Sequence, residues 1–417
     1  MGFFKYILDL GPSVMLAIIL FVMGLCFRVK FSEALRSGLL IGAAFFGINM
    51  VIGAMVSTLA PVTQAFIKTT GIQLTVMDIG WPSAASITWA YSAAAAFIPL
   101  GLIVNAVLLV LKVTKTVDVD IWNYWVWGFS AAIIGTLTGN VIIGLAAFVI
   151  TEIVVLLIAD LTAPKLQEYY DLPKISIPHG NAAPFALLAY GLEWVFERIP
   201  GFNKLNADSE TIKRKFGVFG EPIFIGVLIG AVFALIAGYD FKGILTTAIP
   251  LGGVMVILPR MTKLLMEALT PISTAIGDVL RKKFPGKDFY IGLDAAVLAG
   301  YPEVMATGFA LIPIAILIAM ILPGNKVLPF ADLVGLTFIV SMTMPIYKGN
   351  IIRGIIGGSV IIVICLYIGT NMAPSFTQMA SNAGVAVPEG STGVMSFLSG
   401  TSPITWIIKE IVQLFGL

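Results

Sequence analysis

Residues 139–164 read GNVIIGLAAFVITEIVVLLIADLTAP, and residues 349–374 read GNIIRGIIGGSVIIVICLYIGTNMAP. Both open on Gly-Asn, carry a glycine at the same place (Gly144 and Gly354) and close on Ala-Pro, at a shift of 210. Outward from this pair the match continues. Pro12 finds Pro222, Phe31 finds Phe241, Pro61 finds Pro271, and Pro99 finds Pro313 at a shift of 214. Apolar identities mean little in so greasy a chain. Prolines mean more, because they end or kink helices, so matched prolines predict matched helix ends. Two copies of one membrane unit suggest a transporter with its substrate site between them.

The chain has 417 residues, 58% hydrophobic and 12% charged, with a mean hydropathy of +0.99. A soluble protein carries about 25% charged residues. The apolar residues also fall in blocks near the ~20 residues that span a bilayer. This reads as an all-α polytopic membrane protein, and no ~10-residue alternation supports a β-barrel. The formal net charge of +2 suggests no nucleic-acid partner. Cys26 and Cys365 lie in separate apolar spans and read as packing residues. MGFFKYILDLGPSV lacks a small-residue cleavage site, so the first span is expected to persist.

Spans are expected near 12–27, 36–60, 91–111, 121–138 and 141–162, then 222–238, 245–265, 304–322, 330–347 and 352–372. A last amphipathic helix at 396–415 has no partner in this reading, which makes about 11 spans. The units are 1–165, a cytoplasmic connection 166–218, 219–375 and a terminal segment 376–417. Five spans per copy is odd, so consecutive copies face opposite ways and the repeat is inverted. With the N-terminus outside, twenty of the 25 basic residues fall inside, as the positive-inside rule requires. Lys348 and Arg353 flank Gly349-Asn350 and put it inside. Gly139-Asn140 has no basic neighbour and is expected outside.

Two stretches are too broken for spans and too apolar for loops: 71–90, GIQLTVMDIGWPSAASITWA, and 284–303, FPGKDFYIGLDAAVLAGYPE. They occupy corresponding places and read as re-entrant hairpins. Backbone breaks at membrane depth only where protein or a cavity surrounds it. An amphipathic surface loop is the plainer alternative.

His179, in SIPHGNAAPF, is the sole histidine. A lone histidine is more often structural, yet this one sits in a Pro/Gly/Asn-rich break where the copies join. Imidazole both donates and accepts hydrogen bonds and titrates near neutrality, and Asn181 beside it adds an amide. Intramembrane carboxylates cost roughly 2.5–3.5 kcal/mol at a helix centre and so need a reason. Asp294 in GLDAAVLAG and Glu303 in AGYPEVMATG are the candidate bases, and a polyol needs such acceptors. Glu221 in FGEPIF is a further candidate, though a helix N-terminal charge explains it. Asp78 in MDIGWPSAA could mirror Asp294 from the first hairpin, or be a loop carboxylate. Asn140 and Asn350 could bond substrate, although turn roles suit them better. Trp81 and Tyr301 could stack on a sugar face. Interfacial anchoring is the default for aromatics here, and Trp122, Tyr124, Trp125 and Trp127 fit it. No GxxxxGK[ST] loop, Cys/His zinc spacing or haem-type motif occurs, so no cofactor or metal is implied.

SIPHGNAAPF, FGEPIFIGVLIGA, GDVLRKKFPGKDFYIGLDAAVLAGYPEVMATG and LPGNKVLPFADL together resemble the galactitol-type EIIC component of the bacterial phosphotransferase system (PTS), nearly end to end. The resemblance implies a permease in the bacterial inner membrane, with an inverted repeat, re-entrant hairpins, eleven spans and a homodimer in contact with lipid. A substrate-carrying core would move against a V-shaped scaffold. Separate EIIA and EIIB proteins would act inside, phosphocysteine on EIIB giving its phosphoryl group to the bound alditol. Arg281-Lys282-Lys283 could help dock EIIB. His179, Asp294 and Glu303 are the leading site residues, followed by Glu221, Asn181 and Asp78. The rival reading is a cation-coupled secondary transporter of a polyol or sugar without phosphorylation. A non-transporting scaffold leaves the broken hairpins unexplained.

Overall fold

The computed structural model describes residues 12–70, 74–118, 120, 122–202, 207–208, 210–211, 214, 217–283, 289–329, 331–387 and 391–416. The stretch before Pro12, the opening residues of both broken stretches (71–73 and 284–288) and the side chains of Arg281, Lys282 and Lys283 lie outside the described residues.

The first half runs α1 (Pro12–Cys26), α2 (Phe31–Thr70), β1 (Val76–Asp78), α3 (Gly80–Trp89), α4 (Phe97–Val110), β2 (Thr116–Asp118), α5 (Trp122–Thr138), α6 (Val141–Tyr170), β3 (Ile175–Ser176) and α7 (Ala183–Phe196). The second runs α8 (Pro222–Ile236), α9 (Phe241–Lys283), β4 (Tyr290–Gly292), α10 (Ala296–Ala299), α11 (Pro302–Ile321), β5 (Val327–Leu328), α12 (Leu336–Ser341), α13 (Ile351–Asn382), β6 (Gly393–Met395) and α14 (Pro403–Leu414). Among the described residues the two lists match in kind and order. The chain is mostly helical, and α6, the Phe241–Leu258 part of α9, α11 and α13 are long and apolar enough to cross a membrane. Helix α3 meets the Ala94–Val110 segment at 91°, a broken span or a re-entrant turn.

Three expectations change. The last helix is not alone: α14 follows β6 as α7 follows β3, with Ser176 and Gly180 matching Ser396 and Gly400. The shift has drifted to 220 through a longer loop after α13, and α7 had been absorbed into the expected 166–218 connection. Next, only some matched prolines mark helix ends. Pro12 and Pro222 begin α1 and α8, whereas Pro61, Pro164, Pro313 and Pro374 lie inside helices. A long helix survives the loss of one hydrogen bond when packing holds both sides. As a result α6 and α13 run past residues 165 and 375, where units were expected to end. Finally, Tyr124, Trp125 and Trp127 are not interfacial anchors. They are buried on α5, which neighbouring helices enclose.

The matched Gly-Asn pairs have a local cause. Gly139 and Gly349 take φ of +64° and +73°, a conformation that suits glycine at a helix end. The next residue caps the following helix: Asn140 Oδ1 accepts from Ile142 N–H at 2.9 Å and Asn350 Oδ1 from Arg353 N–H at 3.1 Å.

Helices α1, α2, α8 and α9 pack chiefly on one another, and the remaining elements form a second group. In the first group α8 presents Gly226 and Gly230 to α9. A Cβ at Gly230 would lie 2.9 Å from the Ala248 Cα, and one at Gly226 2.8 Å from the Leu251 carbonyl. Small residues let these backbones touch where lipid offers no hydrophobic drive. Gly230→Leu is expected to lower stability by about 1–3 kcal/mol through overpacking. Gly253→Ala, where nothing lies within 4 Å of the added Cβ, is expected to leave the melting temperature of the detergent-solubilised protein unchanged.

Candidate functional site

Two small parallel sheets organise the second group. One has the order β5-β1-β6 and the other β2-β4-β3. Each joins strands of two or three residues from distant parts of the chain. Parallel pairing sends all three carboxyl ends the same way, so the residues just past each strand converge. In the β2-β4-β3 sheet these are Asp118 and Asp120, Asp294, and His179 with Asn181. Gly292, at the end of β4, has no room for a side chain: an added Cβ would lie 2.9 Å from Asp118 Oδ1 and from Pro178 Cγ.

His179 Nε2 lies 3.4 Å from Asp294 Oδ2, and both side chains are buried. Asp294 Oδ1 accepts from Ala296 N–H at 2.7 Å, which holds the turn into α10. Asp294 N–H donates to Asp120 Oδ2 at 3.1 Å, and Trp122 N–H donates to Asp120 Oδ1 at 3.1 Å. Asp118 Oδ1 accepts from Asn123 Nδ2 at 3.1 Å. Burial drives the imidazole of His179 down to about 3, so it is a neutral donor and acceptor rather than the near-neutral titrating group expected. Burial lifts Asp294, and burial together with the facing Asp294 carboxylate lifts Asp120. Asp118 rises for the same reasons, with Asp120 as its charged neighbour.

The β5-β1-β6 sheet repeats the construction with a different outcome. Asp78 accepts from the N–H groups of Gly80, Phe397 and Asp332. Asp332 accepts from Trp81 N–H, Leu398 N–H and the Ser396 hydroxyl. All four oxygens are occupied by the chain, so this pair braces the first broken stretch. The two sheet ends meet. Asn181 Nδ2 donates to Ser399 Oγ at 3.3 Å, and the half-buried Trp81 ring packs 6.4 Å from both Trp122 and Trp125.

The other candidates lie elsewhere. Asn140 is a helix cap on the surface. Glu221 precedes Pro222 at the start of α8. Glu303 stands in the first turn of α11, with Tyr169, Tyr170 and Tyr301 as electrostatic neighbours. A cavity of about 380 Å³ lined by Tyr91, Thr136 and Asn382 contains none of these residues. Sequence reading passed over Asp118, Asp120, Asn123, Asp332 and Glu152. Asp118 and Asp120 looked like an interhelical loop. Glu152, fully buried on α6, carried a usable signal as a lone carboxylate inside an apolar span.

A carboxyl whose folded value is raised binds its proton more tightly in the native state. Its contribution to stability is complete below about pH 4, the ordinary aspartate value, and is lost as pH rises through the raised value. His179 acts oppositely, losing its contribution as pH falls below about 6.5. Three carboxyls outnumber one imidazole, so the melting temperature is expected to fall as pH rises from about 5 to about 8. Asp118→Asn is expected to flatten that slope.

A family profile described as "PTS system sugar-specific permease component" matches residues 6–390. The galactitol-specific EIIC component of the Escherichia coli K12 PTS is 39% identical over 407 residues, which is 98% of this chain and 90% of that protein. The protein of the same description in Escherichia coli O157:H7 matches to the same extent. The chain belongs to the family of sugar-specific permease components of the phosphotransferase system.

Proposed function

We propose that this permease carries galactitol, or a close alditol, inward across the bacterial inner membrane and presents it to a phosphorylated EIIB. The observation that carries the reading is the buried His179–Asp294 pair, set where the strand ends of one sheet face those of the other. Neutral His179 and the Asn181 amide supply donors and acceptors suited to hydroxyl groups. Asp294 is the general base. As the alditol oxygen attacks phosphorus, its O–H bond breaks and the proton passes to the Asp294 carboxylate. The S–P bond of the phosphocysteine breaks and the thiolate leaves on EIIB. Glu303, beside three tyrosines at the start of α11, belongs to the path by which donor and product reach the site. Glu221 lines the group of helices against which the site moves. Trp81 closes the site on the side of the first broken stretch, and Asp78 holds that stretch in place.

The matching order of elements supports an inverted repeat with both broken stretches re-entrant. With the N-terminus outside, the start of α13 is inside. Its Arg353 binds Glu193 and Glu197 of α7 and its environs, and Ile351 N–H donates to Ala207 O at 3.0 Å. These contacts tie the cytoplasmic connection to that end. The α1, α2, α8, α9 group is the scaffold of a homodimer in lipid, and the other group is the moving core. EIIA recharges EIIB.

The test uses inside-out vesicles with EIIA, EIIB, the general phosphotransferase proteins, phosphoenolpyruvate and labelled galactitol. Galactitol phosphate that requires this chain is the expected product. Uptake driven by an ion gradient alone, with no phosphate formed on any alditol, would overturn the reading in favour of a secondary transporter. Asp294→Asn is expected to slow phosphorylation about 10²–10⁴-fold, the usual worth of a general base. Glu303→Gln is expected to cost less, and His179→Ala to raise the KM for galactitol.

A further inference from the structure

Asp120 stands in neither of the broken stretches, yet one of its oxygens reaches each side of the site. Oδ1 accepts from Trp122 N–H and so caps the start of α5, while Oδ2 accepts from Asp294 N–H across 174 residues of sequence. Its own N–H donates to Asp118 Oδ1 at 3.3 Å. The carboxylate thus ties the exit of β2 to the turn that carries Asp294. At 4% exposure it has no solvent role. We propose that Asp120 is a positioning residue for the transfer step, holding the Asp294 turn so that its carboxylate meets the alditol hydroxyl. This rests on Asp294 being the base of the proposed function.

The geometry has an electrostatic consequence. Two buried carboxyls that face each other cannot both ionise freely. Burial acts on both, and repulsion by Asp294 adds to it at Asp120. A base works best when its affinity for protons is matched to the working pH, and burial raises that of Asp294. Among the described residues the titratable groups around the pair are few. His179 faces Asp294 from the β3–α7 loop and is neutral. Asp118 faces Asp120 from the end of β2. Tyr124 of α5 and Glu152 of α6 lie behind them and interact with Asp118. The acidic neighbours of Asp294 are therefore aspartates, and Asp120 is the one bonded to its turn.

The matching place past β5 makes the contrast. Asp332 also accepts from an N–H of the broken stretch it faces, that of Trp81, but its other oxygen is filled by Ser396 and Leu398. The β5-β1-β6 sheet uses the device as a brace. The β2-β4-β3 sheet uses it beside a carboxylate that has a histidine for company.

The experiment is single-turnover phosphorylation of galactitol by phospho-EIIB in inside-out vesicles, followed across mildly acidic to mildly alkaline pH. Wild type is compared with Asp120→Asn, Asp120→Glu and Asp294→Asn. Asparagine removes the facing charge but keeps an acceptor for the backbone. The acidic limb of the rate profile is expected to stay in place, because burial sets the Asp294 value, with the maximal rate down about 10-fold and KM little changed. Asp120→Glu keeps the charge and displaces the carboxylate. Its limb is expected to stay in place while the rate falls, and this variant carries the test if the asparagine variant does not fold. An undiminished maximal rate in either Asp120 variant, or a loss carried by KM alone, would show that Asp120 only braces the fold and would overturn the proposal. Full activity in Asp294→Asn is a different failure. It removes the base itself, and the inference with it.

Discussion

A chain that leaves its helix at membrane depth must satisfy the freed backbone groups with protein, because hydrocarbon offers none. Much of this structure follows from that constraint. The broken stretches, beginning with β1 and β4, find partners by lying between two short strands each, brought from loops far along the chain. Each sheet therefore ties together segments that no local interaction would join. Four carboxylates then take up N–H groups that the strands leave over, Asp78 and Asp332 in one sheet, Asp120 and Asp294 in the other.

Function grows out of the same arrangement. Parallel strands put three loop starts together, so Asp118, Asp120, His179, Asn181 and Asp294 converge from separate parts of the chain. In the β5-β1-β6 sheet every carboxylate oxygen is taken by the chain, which makes it an internal strut. In the β2-β4-β3 sheet Asp294 Oδ2 faces a histidine instead. Two sheets of one architecture thus differ: one has all its carboxylate oxygens filled by the chain, and the other sets a carboxylate beside a histidine.

The separation into two groups of helices bears on transport. Glycine-lined contacts make α8 and α9 a close pair, while the sheets lock the other elements into a unit of their own. Motion between such groups costs little internal packing in either. A site built wholly within one group would keep its geometry if that group moved as a body.

Membrane class and the permease family were legible in the residues. Composition and block length decide whether helices belong in a bilayer, and a repeated Gly-Asn pair has one local use, as a helix end followed by a cap. Asp294 stood out because a carboxylate in an apolar run is costly. The partner of the last helix was hidden because inserted loop residues moved it out of register. Trp125 and Trp127 were misread because an aromatic at a bilayer surface and one in a core look alike in sequence. Asp118 and Asp120 read as loop acids, and nothing near them in the chain says otherwise. Asp120 matters through the hydrogen bond it accepts from Asp294, 174 positions away, and such a pairing exists only once the strands have come together.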